Sequence, residues 1–552
     1  MSKVYVNEKT GADSASAAGS EEQPFQTPAY ALFVQPEATV LVFKQLEDSE
    51  EFGYVEISAS ALKKAKKGAE SLKKKQEKQA LLDAQKQQKE AEAAKKLAEL
   101  DLIEINEDAS LPAAVPIKVR NVQDHLETRV VVQGWVHRFR LQKGLAFLTI
   151  RDGSGLIQAV LSGDLAKWKV TQQLTLESTI AIKGMVHKLP EGKTAPGGVE
   201  LQADFYQVIG LAPAGDDSIT NKVPSDASPS LLMDNRHLAL RGDALSAVMK
   251  VRAALLKSVR RFFDEENLTE VTPPCMVQTQ VEGGSTLFKM SYYGEDAFLT
   301  QSSQLYLETC LPSLGDVYCI QESFRAEQSH TRRHLSEYTH IESELAFISF
   351  DDMLNHLERL LTKSVEYVLA DPIAGPLVKQ LNPNFVAPKQ PFKRMEYIQA
   401  LEWLNEHEIP NEEGEKFKFG DDIAEAAERR MVDTIGVPIF LIRFPAEIKS
   451  FYMKRCKDDP RVTESVDVLM PNVGEIVGGS MRMEDYDELM TSMKKEGLDP
   501  TPYYWFLDLR KYGTCPHGGY GLGTERILAW LCDRFTVRDC SLYPRFTGRC
   551  KP

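Results

Sequence analysis

The sequence predicts an α+β protein: a small β-barrel joined by a polar hinge to one large domain of strands and helices. Three observations carry this. Four short β-rich runs crowd into residues 116–212. The segment 213–235 is rich in Pro, Ser and Asp, the composition of a hinge. From 236 to 552, strand-like and helix-like runs alternate to the C-terminus. The chain has 552 residues and a formal net charge of −14. No apolar run approaches the roughly 18 residues that a bilayer span needs.

Residues 1–58 mix Tyr, Val and Phe with turn formers, as in Thr39-Val40-Leu41-Val42-Phe43, and predict a small α/β or β-rich appendix. Glu8, Asp13, Glu21 and Glu22 argue against a secretory signal or an acid-poor transit peptide. Residues 59–105 hold no Pro and one Gly among Ala, Lys, Gln, Glu and Leu, which favours a long helix. Positions 61–100 carry twelve lysines against six acids, concentrated at Lys63, Lys64, Lys66, Lys67, Lys73, Lys74 and Lys75. Two readings stay open there, a solvated helical linker and an arm that grasps RNA. A globally acidic chain can meet RNA only through such local basic surface.

In the barrel, the runs 130–136, 146–150, 156–160 and 179–184 are separated by glycine and charged turns, a spacing that suits an OB-fold. Past the hinge, Asp243 is the expected N-cap of a helix. Its apolar face repeats at Val248, Val251, Leu255, Val259 and Phe262. Eight cysteines between Cys275 and Cys550 form no C-x-x-C pair, so neither zinc nor a disulfide framework is indicated and a reducing cytoplasm is expected.

Two motifs lie some two hundred residues apart. Ser323-Phe324-Arg325-Ala326-Glu327 ends a strand-like run, and Gly519-Tyr520-Gly521-Leu522-Gly523-Thr524-Glu525-Arg526 feeds a helix. Alternate side chains of a strand share a face. Ser323, Arg325 and Glu327 are therefore expected to point together, as are Tyr338, His340, Glu342 and Glu344. The intervening 328–334, with Arg332, Arg333 and His334, is too long and basic for a tight hairpin turn.

An F-R-x-E followed by G-x-G-x-G-x-E-R resembles motifs 2 and 3 of the class II aminoacyl-tRNA synthetases. Glu270-Val271-Thr272-Pro273-Pro274 resembles their motif 1, the dimer element, with Pro274 as its characteristic residue. The resemblance implies an antiparallel-sheet catalytic domain over 236–552, ATP as substrate, Mg²⁺, and a homodimer. It implies that Arg325 and Arg526 are catalytic. Arg325 would hold the α-phosphate and the reacting carboxylate; Arg526 would cover adenine and the γ-phosphate. Glu327 would accept from the adenine amino group, Tyr338 would stack on adenine, and Arg333, His334 and Gly523 would complete the nucleotide site. Asp467 and Glu475 match the magnesium ligands, with Glu475 also at the nucleotide; hard oxygen donors suit that ion. An amino-acid carboxylate is already anionic, so attack on the α-phosphate needs alignment and cations rather than a general base.

Barrel, hinge and core in this order resemble subclass IIb, whose members take aspartate, asparagine or lysine. Aspartyl members resemble Q-S-P-Q-L-Y-K at 301–307, where this chain ends on Leu307 and so lacks the cation for a carboxylate side chain. Phrases such as 448–453, 473–480 and 511–519 are similar to the asparaginyl members of the eukaryotic cytosol. That implies L-asparagine and tRNA(Asn) as substrates, with Glu282, Gln304, Glu342, Ser480 and Arg482 around the amino acid. Glu282-Gly283-Gly284 would lie on a loop closing over it. In the barrel, Phe147 and Gln158 would stack on and hydrogen-bond anticodon bases, with Arg138 and Arg140 at phosphates. An aspartyl enzyme, or a tRNA-independent asparagine synthetase on the same core, remains open at this level.

Overall fold

A computed structural model of the protein describes residues 2–14, 17–45, 52–100, 103–142, 144–282, 287–329 and 331–552, with 81–100 described as helical backbone only. The chain divides into two compact units, Met1–Ser218 and Ile219–Pro552.

The first unit opens with β1 (Lys3–Val6), β2 (Thr39–Gln45) and β3 (Phe52–Glu56), β1 parallel and β3 antiparallel to β2. Val4, Val6, Phe25, Ala31, Leu32 and Val40 form its core, and Ala65 joins them from the long helix Ala59–Leu100. A Cβ on Gly68 would stand 2.7 Å from the Ala29 Cβ, so glycine permits the close approach. The start of the lysine-rich helix is thus part of the appendix, while Lys63, Lys64, Lys66, Lys67, Lys73, Lys74 and Lys75 all project into solvent.

The barrel follows: β4 (Val115–Pro116), β5 (Arg129–Gln142), β6 (Leu145–Arg151), β7 (Leu156–Ser162), β8 (Thr179–Lys188) and β9 (Val199–Gly210). Pairing of β5 with both β6 and β8 closes it, and β9 bridges β7 and β8. Leu148, Ile150, Ile157, Leu161, Ile180 and Ile182 fill the interior at every second position. The sequence reading lacked β9, although Val199, Leu201 and Ala203 alternate with polar neighbours as a half-buried strand should.

Among the described residues, the strands of the second unit are β10 (Thr269–Glu270), β11 (Met276–Val277), β12 (Lys289–Tyr292), β13 (Glu295–Leu299), β14 (Val317–Phe324), β15 (Glu337–Ala346), β16 (Lys393–Glu396), β17 (Ile439–Ile442), β18 (Ser465–Met470), β19 (Gly474–Met481) and β20 (His517–Gly523). Eight form one sheet in the order β10-β14-β15-β20-β19-β18-β17-β16, antiparallel except at its two outer pairs. β11, β13 and β12 make a small separate sheet.

Two expectations change here. Asp243 is the first helical residue of Asp243–Glu265, and Gly242 is the N-cap, without a side-chain bond. The apolar stripe of that helix packs into the chain's own core with Leu354, Leu357 and Leu361 of the helix Phe350–Ala370. The stripe already has a partner, so it gives no reason for a dimer. The end of the expected hinge is also anchored: Asp234 pairs with Arg549 at 2.5 Å, and Arg236 donates to the Leu542 and Ser541 carbonyls.

Candidate active site

A cavity of about 340 Å³ opens over the large sheet, lined by residues of β15, β18, β19 and β20 and the helices and loops beside them. On β15, His340, Glu342 and Glu344 stand opposite Gly523, Gly521 and Gly519 of β20. A Cβ on Gly519 would fall 2.1 Å from Glu344 Oε2, and one on Gly521 2.3 Å from His340 Nε2. Those two glycines make room for neighbouring side chains. Gly523 is different, since a Cβ there would meet only Arg526 at 3.7 Å or more, and it lines the open cavity.

At one end sit the arginines. Arg325 follows the last residue of β14, fixed by its N–H to the Ser336 carbonyl (3.0 Å). Its guanidinium pairs with Glu282 at 2.9 Å, stands 3.9 Å from Glu327 and 5.7 Å from the Tyr338 ring centroid, and leaves a buried Nε without a hydrogen-bond partner. Glu327 lies beyond the strand and does not line the cavity, but its carboxylate is 3.7 Å from His334 Nε2. Burial, with Arg526 nearby, holds the His334 imidazole below its ordinary value, so it is neutral at pH 7. Arg526 lies in the first turn of the helix Thr524–Leu531 and donates to Glu475 Oε2 at 2.9 Å. Arg333 donates to the Glu475 carbonyl at 3.0 Å, and its buried Nε is likewise unpartnered.

Glu475 and Asp467 respond oppositely to the same surroundings. Burial opposes charge on Glu475, but Arg526, Arg333 and Lys449 outweigh it and hold the carboxyl at about 2. On Asp467 burial prevails over Lys449, 2.8 Å away, and Glu475 adds to it, pushing the carboxyl up to about 6. A Cβ on Gly478 would come within 3.5 Å of Glu475 Oε1 and 3.7 Å of Asp467 Oδ1. The glycine therefore leaves a small cradle open between two carboxylate oxygens. Glu428, absent from the sequence reading, accepts from the Glu475 N–H at 2.9 Å, and burial together with Glu475 pushes its carboxyl up to about 7.

The other end is closed and buried. Arg482 makes a two-pronged contact with Glu344 (2.9 and 3.0 Å) and donates its remaining arm to Ser480 Oγ at 2.8 Å. Glu342 lines the same cavity and takes the Ser303 N–H (2.9 Å), the Ser302 hydroxyl and His340 Nδ1 (3.3 Å). Ser480 does not line the cavity; it steadies Arg482. Behind them Glu308 binds Arg510 (2.8 Å), His517 (2.9 Å) and the Gln304 amide (3.2 Å). Burial works against both charges, yet Arg510 and His517 hold Glu308 at about 2, while the Cys515 carbonyl and Glu308 raise His517 to about 10. Leu307, fully buried, adds an apolar wall. Gln301 clamps the backbone of Glu282, accepting from its N–H at 3.0 Å. Gly283 and Gly284 lie outside the described residues.

In the barrel, Phe147 and Gln158 share the outer face of β6 and β7, because Phe147 pairs with Val160 and Thr149 with Gln158. Arg138 and Arg140 pair with Thr149 and Phe147 from β5, and the Arg140 guanidinium stands 5.3 Å from the Phe147 ring centroid. The interior of these strands belongs to Leu148, Ile150 and Ile157, so Phe147 is half-exposed on the outer face rather than core.

Residues 228–547 match the family of class II tRNA synthetases (D, K and N), 130–209 match an OB-fold nucleic acid binding domain, and 20–112 match the N-terminal domain of asparaginyl-tRNA synthetase. The cytoplasmic asparagine–tRNA ligase of Debaryomyces hansenii is 76% identical over the whole of both chains, and that of Saccharomyces cerevisiae is 70% identical, again over all of both. The Entamoeba histolytica asparaginyl-tRNA synthetase, solved in complex with asparaginyl-adenylate, superposes with a TM-score of 0.76 at 42% identity, covering 80% of this chain and 100% of that one. On this sheet, these motifs and these likenesses, the chain belongs to the asparagine–tRNA ligases among the class II tRNA synthetases.

Proposed function

We infer that the chain is a cytoplasmic asparagine–tRNA ligase, which activates L-asparagine with ATP and transfers it from asparaginyl-adenylate to the 3′ end of tRNA(Asn). The observation that carries the amino-acid choice is the Arg482–Glu344 pair beside Leu307. A side-chain amide offers its carbonyl to Arg482 and its NH₂ to Glu344. An aspartate carboxylate would face Glu344 as a like charge, with Leu307 supplying no second cation. A pocket that satisfies both polar ends of one group discriminates strongly against its analogue.

The Arg325–Glu282 contact at 2.9 Å matches the two ends of an α-amino acid. Glu282 takes the ammonium and Arg325 the carboxylate, which replaces one ion pair by two. The carboxylate oxygen then attacks the α-phosphorus, the new O–P bond forms, and pyrophosphate leaves. Arg325 holds charge on the α-phosphate, while Arg526 and Arg333, with neutral His334, face the outer phosphates; cations placed beforehand spare the reorganisation water would need. Tyr338 supplies the adenine platform and Glu327 the acceptor for its amino group. In the second step the terminal ribose hydroxyl attacks the acyl carbon and AMP departs.

Asp467, Glu475 and the cradle at Gly478 fit Mg²⁺, a hard cation that binds one or two carboxylates together with substrate phosphates. When bound, it supplies positive charge to the leaving pyrophosphate. Phe147, Gln158, Arg138 and Arg140 form the anticodon face. The exposed lysines at 63–75 act as a phosphate-seeking arm, so deleting 1–105 should raise KM for tRNA and flatten its salt dependence without changing the choice among tRNAs. A homodimer is supported by motif 1 itself: Pro274 is exposed and the neighbouring Met276 is 54% exposed. Sedimentation of an active species at monomer mass would overturn the dimer. Charging of a tRNA(Asn) transcript with radiolabelled asparagine tests the whole reading, and no product above the ATP-free control would refute it.

A further inference from the structure

We propose that Phe535 is a stacking platform for an unpaired base at the acceptor end of the tRNA, backed by the Arg332 guanidinium. The proposal rests on the tRNA-charging function above and adds a contact which that function does not require.

The helix that carries Arg526 ends at Leu531, and a turn through Asp533 (φ 50) brings the chain to Phe535. The ring is 77% exposed, so the core gains almost nothing from it. The Arg332 guanidinium stands 4.5 Å from the ring centroid. A cation on one face of an aromatic ring leaves the other face for a second planar partner, and every nucleobase can fill that role.

The position is fixed rather than incidental. The Val537 N–H and the Thr536 hydroxyl both donate to the Arg332 carbonyl, each at 3.1 Å. Arg538 Nη2 donates to the Thr331 carbonyl at 3.4 Å. The Thr547 hydroxyl lies between the carbonyls of Glu327 (3.1 Å) and Ser329 (3.2 Å). The C-terminal segment therefore straps the basic loop that leads to Arg333 and His334. Both of these line the cavity, as does Val537, two residues beyond Phe535. The platform consequently stands at the rim of the chamber where the adenylate forms. A single-stranded 3′ end delivering its terminal hydroxyl must cross that rim, and single-stranded RNA is recognised chiefly by stacking of its splayed bases.

The test compares Phe535→Ala, Phe535→Leu and Phe535→Trp in the full-length protein. Asparagine-dependent ATP–pyrophosphate exchange reports the nucleotide site and the strapped loop, and it should stay within twofold of wild type in all three. Charging of tRNA(Asn) should fall by about tenfold in kcat/KM for tRNA in the Ala and Leu variants, because stacking of one base is worth roughly a tenfold change, and Trp should restore it. Wild type should also bind intact tRNA more tightly than tRNA trimmed of its unpaired 3′ nucleotides, a preference the Ala variant should lose. Unchanged charging in the Ala variant, or rescue by Leu, would overturn the platform. Failure of the wild type to charge tRNA(Asn) would instead overturn the function on which it rests.

Discussion

The two ends of the cavity hold their charges in contrasting ways. At the end proposed for the amino-acid side chain, Arg482, Glu344, Glu308, Arg510 and His517 are 0–5% exposed at their side chains and satisfy one another through paired contacts. At the end proposed for the nucleotide, the Arg325 and Arg526 side chains are 29% and 21% exposed, each pairs closely with a carboxylate through one arm, and Arg325 and Arg333 each keep a buried nitrogen with no partner. The buried network is complete without substrate, and in the proposed function it serves recognition. In the proposed function the arginine group's carboxylate partners are ones that substrates displace, which suits residues whose charge must be free for a transition state.

The largest effect that follows is on chemistry. Arg325→Ala should abolish asparagine-dependent ATP–pyrophosphate exchange, a loss on the order of 3 kcal/mol or more, while the melting temperature stays close to wild type. Exchange above a tenth of wild type would erase the distinction between the two ends. Glu344→Gln should act on both stability and recognition. It strips the partner from a buried guanidinium, costing roughly 3 kcal/mol of stability, and it should raise KM for asparagine more than KM for ATP. A variant that melts like wild type would mean the network is not the fixed half.

The smallest effect concerns pH. The folded His517 sits at about 10, above its ordinary 6.5, so its contribution is complete below pH 6.5 and fades as pH rises toward 10. Glu308 at about 2, below its ordinary 4.5, contributes fully above pH 4.5 and loses that only as pH falls toward 2. Thermal melts between pH 6 and 10 should therefore decline more steeply for wild type than for Glu308→Gln. Parallel curves would show that the pair does not couple to folding.

Much of this was legible in the chain. Period-two spacing placed Tyr338, His340, Glu342 and Glu344 on one face, and the helical period marked Val248 to Phe262 as one stripe. What the chain withheld were tertiary choices. Glu342 and Glu344 are equivalent by alternation, and only the register against Gly519 and Gly521, with Ser480 beside Arg482, selects Glu344 as the arginine's partner. Glu308 lies about two hundred residues from Arg510 and His517, so no local pattern joins it to them. The stripe announced burial without naming the surface that would bury it. Lys449 and Glu428 carry no motif of their own, and they matter only because folding sets them beside Asp467 and Glu475.

The most direct measurement is ATP–pyrophosphate exchange driven by asparagine and by aspartate on the same enzyme preparation. A pocket in which Glu344 already occupies Arg482 and Leu307 replaces a cation should favour asparagine in kcat/KM by roughly 10⁴. Exchange with aspartate equal to or faster than with asparagine would contradict it.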